Sequence, residues 1–251
     1  MLNRDDQLLL DHLLDLAVQS ERYGMSTFSD FLNLNEQTVF YEQRDMFKGY
    51  LYCVYGGYDD AERQMVQFYQ PYCSDEPYPI VCVCISPVSE KFSEHLTHRD
   101  FLGAVLNLGI ERCKTGDILI KEHTAYMFCK ESIAAFICEH LINVKHTKIR
   151  AKIAEIPAIA LKPELKTKQG TVTSVRIDSI VALAFNLSRS QAGKYISQKL
   201  VFINGRQVDS NSRVPKDGDL ISVRGIGRFK LELTAQKSKK DKYVVKTHIY
   251  I

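Results

Sequence analysis

The sequence predicts a multidomain α+β protein, and three features carry that prediction. Hydrophobic patterns in the order β-α-β-β-α-β run from about residue 80 to 156. A leucine-rich helical stretch and short strand-like runs precede them. A lysine- and proline-bearing stretch follows, then a basic helical segment with Asn-Gly and Gly-Asp turns between short strands. The expected division is a small acidic α+β unit at 1–74, a central domain at 75–157, a linker at 158–175 with one edge strand near its end, and a basic module at 176–251. A chain of 251 residues has room for two or three small domains. With 45% hydrophobic residues, including 12 Phe and 13 Tyr, it has ample apolar surface for their cores, which excludes a wholly disordered chain.

Residues 4–20 place Leu9, Leu13, Leu16 and Ala17 on one stripe, the spacing of a helix. Asp5, Asp6, Asp11, His12 and Asp15 interrupt the leucines, so this is an amphipathic helix and not the apolar core of a signal peptide. No run of about 18 uncharged apolar residues is present, so no membrane span is expected. A second helix is expected at 35–47, a strand at 51–55, a turn at Gly56-Gly57, a short helix at 59–66 and a strand at 66–70.

In the central segment, strands are expected at 80–86, 117–121, 124–129 and 147–156. Helices are expected at 98–108, closed by Gly109, and at 131–140. This is the order of a ferredoxin-like split β-α-β unit. Tyr126 and Phe128 share one face of a strand. They could stack bases, as aromatics do on the open sheets of RNA-binding domains, or fill the core under the two helices. Without an RNP-type motif, the core reading is preferred.

Seven cysteines, at 53, 73, 82, 84, 113, 129 and 138, include no C-x-x-C pair, so buried reduced thiols are expected. Cys82 and Cys84 would share a strand face, and His95 and His98 could face one way on a helix. Neither pair has the partners a zinc site needs. No metal and no cofactor is expected.

Charge divides the chain. Residues 1–144 hold 11 Lys+Arg against 22 Asp+Glu, a net of −11; residues 145–251 hold 22 against 8, a net of +14. Such polarity points to a polyanionic partner for the basic half, nucleic acid above all. Within that half, Ile177, Ile180, Val181 and Ala184 have helical spacing, with Asp178 placed to cap the helix. Ser188 and Gln191 fit a capping box that opens a second helix, from Arg189 to about Lys199. Its apolar side is Ala192, Ile196 and Leu200, and Arg189, Ser190, Lys194 and Lys199 lie elsewhere on it. Cations and hydroxyls near a helix N-terminus suit phosphate oxygens. Asn204-Gly205 is a hairpin signal, and Asp217-Gly218-Asp219 a second turn. Gly225-Ile226-Gly227 is followed by a strand-like run and so is not a dinucleotide fingerprint; it allows a bend flanked by Arg224 and Arg228.

These residues carry a resemblance. Arg176-Ile177-Asp178, Ser188-Arg189-Ser190, Ala192, Ile196, Val201, Asn204-Gly205, Gly218-Asp219 and residues 221–224 resemble the alpha-L RNA-binding domain first known from small-subunit ribosomal protein S-four. The chain departs from that pattern at Gln198-Lys199, where a glycine commonly precedes the strand. Residues 56–63 and 98–120, with SRSQAGKYI and SVRGIGRFKL in the module, are similar to the YlmH family of bacterial RNA-binding proteins, and the resemblance then covers nearly the whole chain. It implies a cytoplasmic, ribosome-associated RNA-binding protein that joins the large ribosomal subunit carrying stalled peptidyl-tRNA, in ribosome-associated quality control. It also implies a link to the cell-division gene neighbourhood. The partners expected are ribosomal RNA, with tRNA as a further candidate, and the large subunit; the protein itself is expected as a monomer. The expected RNA contacts are Arg176, Ser188, Arg189, Ser190, Lys194, Lys199, Asn204, Arg206, Arg224 and Arg228 in the module, with His98 and Arg99 in the central domain.

Catalysis is the alternative, because this module is often fused to RNA-modifying enzymes such as pseudouridine synthases and methyltransferases. His98-Arg99-Asp100 is kinase-like, but Val105 stands where that motif needs Asn, and no glycine-rich phosphate loop accompanies it. Residues 1–156 supply neither a doubly wound sheet nor a cofactor loop. A non-catalytic RNA-binding adapter is therefore expected, ahead of an RNA-modifying enzyme and of a protein–protein scaffold built on the acidic half.

Overall fold

A computed structural model describes residues 2–73, 76–89, 94–155, 165–237 and 241–250. They form two compact units, Met1–Lys162 and Pro163–Ile251.

The first unit opens with α1 (Arg4–Tyr23). Asn3 and Asp6 form a capping box, Asp5 and Asp6 favour the positive helix start, and Gly24 ends the helix in a left-handed conformation. Leu10, Leu13 and Ala17 bury its inner stripe; Leu9 and Leu16, expected there, are only half-buried. Strands β1 (Thr27–Phe28), β2 (Leu51–Tyr55) and β3 (Met65–Tyr69) form a sheet in the order β1-β3-β2. The helix expected at 35–47 is α2 (Leu34–Glu42) followed by a 3-10 turn, Arg44–Phe47. The tighter turn accompanies burial of Phe47 against Phe40, 4.9 Å between ring centres, in a core shared with Phe68.

The short helix expected at 59–66 does not form. The N–H groups of Glu62 and Arg63 donate to the Asp117 carboxylate, at 2.7 and 3.2 Å, and Gln64 bridges to Leu32. A side chain more than fifty residues away thus takes the donors that a helix would have used.

Asp117 belongs to the second sheet of this unit. That sheet holds β4 (Ile80–Pro87), β5 (Thr115–Lys121), β6 (Thr124–Lys130), β7 (Asn143–Val144) and β8 (Thr147–Ile153), in the antiparallel order β5-β6-β4-β8-β7. Helices α3 (His98–Leu106) and α4 (Glu131–His140) cover one face. Phe101, Val105, Ala134 and Ile137 pack there on Val83, Ile85, Ala125 and Met127. With β7 set aside, this is the split β-α-β arrangement that the pattern predicted. A polar joint ties the two sheets together. Asp117 also accepts the Tyr58 hydroxyl at 2.9 Å, the Arg63 guanidinium donates to the carbonyls of Thr115 and Phe31, and Asp30 pairs with Lys114 and Lys130.

In the second unit, α5 (Ile177–Phe185) and α6 (Arg189–Ser197) pack on an antiparallel sheet. Its strands are β9 (Leu165–Val172), β10 (Val201–Ile203), β11 (Arg206–Gln207), β12 (Leu220–Val223), β13 (Gly227–Lys237) and β14 (Tyr243–Tyr250), ordered β11-β10-β12-β13-β14-β9. Ile177, Ile180, Val181, Ile196, Ile221 and Phe229 are its buried centre. The edge strand expected near the end of the linker is longer than that reading, spanning residues 165–172 and paired along its whole length with β14, and β14 itself was not anticipated. Lys168 on that strand donates to the Leu183 carbonyl and the Asn186 side chain, capping the C-terminal end of α5. The linker reading followed polarity, and an edge strand is allowed to be polar.

The Asp117 joint is testable. Asp117→Ala removes the acceptor of two backbone N–H groups and a tyrosine hydroxyl, and is expected to lower stability by about 2–4 kcal/mol in urea unfolding. A decrease within about 0.5 kcal/mol, the range of an ordinary surface change, would show that the joint does not hold the unit.

Candidate nucleic-acid interface

The module's cations are organised by helix ends and aromatic rings. Ser188 caps α6: its hydroxyl accepts the Gln191 N–H at 3.1 Å, and the Gln191 side chain accepts the Ser188 N–H at 2.8 Å. Ser188 therefore builds the helix start and keeps only its hydroxyl proton to donate outward. The N–H groups of Arg189 and Ser190 lie in the first turn, where the helix dipole favours an anion.

Asp178 has a different place from the one expected. Arg176 occupies the cap position of α5, and Asp178, only 5% exposed, lies two residues on, in the first turn. It accepts from the Ser179 N–H at 2.8 Å, from Arg176 at 3.3 Å and from Arg189 at 2.8 Å. Burial raises its pKa, but the Arg189 and Arg176 guanidiniums outweigh this and hold the carboxyl below its ordinary value. The two arginines expected to touch RNA are thus brought together across the α5–α6 turn. Their side chains remain 38% and 55% exposed. Arg189 has a second duty that its sequence position did not disclose, because removing it unpairs one side of a buried charge. Lys194 is exposed, opposite the buried Ala192 and Ile196.

At the other end, α6 stops at Ser197 and not at Lys199. Leu200 N–H reaches back to Tyr195, and Lys199 N–H to Ile196, in a Schellman ending. Lys199 takes the left-handed position, φ 60°, where the alpha-L pattern has glycine. Arg224 lies beside this corner: its N–H donates to the Leu200 carbonyl and its guanidinium sits 4.6 Å from the Phe202 ring centre. Arg228, across the Gly225–Gly227 bend, is likewise 4.6 Å from the Tyr250 ring centre. Aromatic faces hold both guanidiniums flat while their edges remain exposed. About 15 Å of helix separates the Arg189 end of α6 from the Lys199 end.

Asn204 has a structural role that the sequence did not disclose. It and Gly205 form a hairpin turn with positive φ at both positions, and the Asn204 amide bonds Asp219 and the Leu220 N–H. Arg206 follows on the edge strand and is half-buried.

In the first unit, His98 and Arg99 are exposed in the first turn of α3. Tyr126 and Phe128 lie on the sheet face opposite the helices, against the preference for the core beneath them. The strand alternation buries Ala125 and Met127 on the helix side, so their neighbours must point the other way. Phe128 is buried there by Tyr58, stacked at 5.2 Å, and by Gly57, whose φ of +102° and contact with the ring leave no room for a side chain. Tyr126 is only partly covered. It pairs in register with Leu119 and Cys84, and Cys84 pairs with Lys152, which puts Lys152, Arg150 and Lys148 on the same side as Tyr126. Those three cations alternate with apolar residues along β8. The alternation is visible in the sequence, and it marks a basic strip that charge counting alone did not resolve. All seven cysteines are free thiols, one buried and six half-buried. Burial and the neighbouring Cys84 push Cys82 up to about 12. Among the described residues, no His, Cys, Asp and Glu group is arranged to hold a metal, and no helix is long and apolar enough to cross a membrane.

An alpha-L fold with guanidiniums fixed on its surface, joined to a split β-α-β domain with a basic sheet face, defines the class: a multidomain RNA-binding protein. Residues 74–158 match the family described as "Putative RNA-binding domain in YlmH", and residues 175–221 match the S4 domain. The chain thus carries a YlmH-type RNA-binding domain and an S4 domain. It is 29% identical to "Ribosome-associated protein quality control protein P2" of Bacillus subtilis (strain 168), over 96% of this chain and 94% of that protein. Among solved structures it is similar to "Cell division protein ylmH from Streptococcus pneumoniae", with 22% identity, a TM-score of 0.49, and coverage of 62% of this chain and 94% of that one.

Two outcomes are expected. Asp178 has a depressed folded pKa, so the stability it confers is present above its unfolded pKa of about 3.9 and disappears as pH falls through the folded value. Asp178→Asn should cost about 1–3 kcal/mol at neutral pH and flatten the acid limb of a stability–pH curve; an unchanged acid limb would refute the assignment. Lys199→Gly should relieve the left-handed strain and raise stability by about 1 kcal/mol in thermal unfolding, while weakening RNA binding by removing the charge. A lower melting temperature would show that the lysine side chain matters to the fold.

Proposed function

We propose that this protein is a non-catalytic adapter that binds ribosomal RNA through its C-terminal module, with the sheet face around Tyr126 adding choice among RNA shapes. The observation that carries the reading is the fixing of the module's guanidiniums: Arg176 and Arg189 on one carboxylate, Arg224 and Arg228 on aromatic rings. Cations held in place lose less entropy on meeting phosphates than free side chains do. Those four guanidiniums are engaged with a carboxylate and with rings, and not with a nucleophile of the kind that chemistry on RNA requires.

The relative named for ribosome-associated quality control supports the ribosome as the setting. Within it, our reading is the large subunit carrying stalled peptidyl-tRNA. The acidic N-terminal unit gains nothing from a phosphate backbone, so the basic module supplies most of the binding energy.

The test uses the full chain and a large-subunit RNA fragment across a salt series. Affinity is expected to fall steeply with salt. Arg224→Ala with Arg228→Ala should weaken binding about tenfold at low salt and reduce the log–log slope by about 0.7–0.9 for each phosphate no longer neutralised. Because both side chains are exposed, the fold should lose only about 0.5–1 kcal/mol for each guanidinium removed from its ring. Co-sedimentation with separated subunits tests the setting: retention on small and large subunits alike would refute the large-subunit reading. A salt-independent affinity would refute the RNA reading.

A further inference from the structure

The helix side of the central domain carries a cavity that the sheet-face reading does not use. It is open to solvent and offers about 500 Å³ between α3 and the chain from His140 to Lys145, within the range of small-ligand pockets. Arg99, Gly103 and Asn107 are spaced four apart on α3 and so line one wall in a row. Leu141 and the 64%-exposed Ile142 supply apolar surface, and Asn143 adds a second amide.

Charge selects an anion. Arg99, His140 and Lys145 border the cavity with a single carboxylate, Asp100, among its lining residues. That carboxylate is engaged already: it pairs with Lys145 at 2.9 Å and accepts from the Thr97 N–H and hydroxyl at 2.8 and 2.7 Å. Lys145 takes φ 51° in the two-residue turn between β7 and β8, and its pairing with Asp100 sets its ammonium at the cavity edge. Arg99 has no hydrogen-bond or ion-pair partner among the described residues.

Shape selects a flat group. Gly103 lies inside α3, where glycine costs about 1 kcal/mol relative to alanine. A Cβ built there meets nothing within 4 Å, so no neighbour in the protein requires the bare backbone. The space it leaves belongs to the cavity. His140 presents a fixed ring beside it, stacked on Phe136 at 4.3 Å, with Nδ1 donating to the Phe136 carbonyl at 2.9 Å. Cations at the rim, two amides and an apolar wall open to helix backbone match a phosphate, a base edge and a base face. An acidic peptide would satisfy the cations and leave the apolar wall uncovered.

We infer that this cavity receives one unpaired nucleotide of the bound RNA, its base against α3 at Gly103 and its phosphate on Arg99 and Lys145. The inference rests on the RNA-binding reading above and adds a second RNA-binding site on the opposite side of the sheet from Tyr126.

The test titrates the isotope-labelled full chain with AMP, GMP, CMP and UMP, and separately with adenosine, inorganic phosphate and a poly-glutamate peptide. At least one nucleotide should shift the Gly103 and Asn143 amide signals saturably, with adenosine about tenfold weaker. Gly103→Leu should fill the cavity, abolish those shifts and weaken RNA binding about five- to tenfold. Gly103→Ala should melt higher than the parent, confirming that α3 accepts a side chain there. If Gly103→Leu does not fold, Arg99→Glu, at an exposed rim position, reads the same effects. The inference is overturned if no nucleotide shifts these signals, if only poly-glutamate does, or if both variants keep parental RNA affinity. Failure of the parent protein to bind RNA would instead remove the function proposed above, and the nucleotide titration would still decide whether the cavity takes a nucleotide.

Discussion

The C-terminal module must hold many cations close enough to meet a phosphate backbone without letting their repulsion open the fold. Asp178 is the point on which that balance turns. Its carboxylate is buried, which is costly for a lone charge, and two guanidiniums and a backbone N–H offset the cost. In return, α5 and α6 are tied at the turn between them, and both arginines keep an outward edge. The module's positive surface and its helix packing therefore depend on the same interaction.

A comparable double role operates in the first unit. Asp117 accepts donors from the loop at 58–63 and so fixes the N-terminal sheet against the central one. The same loop brings Tyr58 onto Phe128 and covers part of the open sheet face. What stays accessible is Tyr126 with the cations of β8. The joint that stabilises the unit also decides which aromatic remains for a ligand.

The two domain matches and this geometry point the same way from independent directions. Similarity over nearly the full chain speaks to the relatives' setting on the ribosome. The arrangement of Arg176, Arg189, Arg224 and Arg228 speaks to how a phosphate backbone is met. The expected contacts divide accordingly: Arg189, Arg224, Arg228 and Lys194 are exposed, Ser188 and Asn204 build the turns that position them, and Lys199 does some of both.

Much of the fold was legible in the residues. A leucine stripe marked α1, a glycine stop α3 and a capping box α6, a short apolar run marked β4, Asn204-Gly205 marked its hairpin, and the asymmetry of charge marked the basic half. These are local signals, written in a few neighbouring residues. The sequence offered an edge strand near the end of the linker but could not show its length or its partner, because an edge strand's pairing comes from its neighbour and its own side chains are polar. Nor could it show that 59–66 would give up its helix to Asp117, that Phe128 would be covered while Tyr126 was not, or that Asp178 would bridge two arginines instead of capping a helix. Each of those outcomes depends on groups distant in the chain competing for one donor, one face or one charge, and only the tertiary structure decides which of them wins.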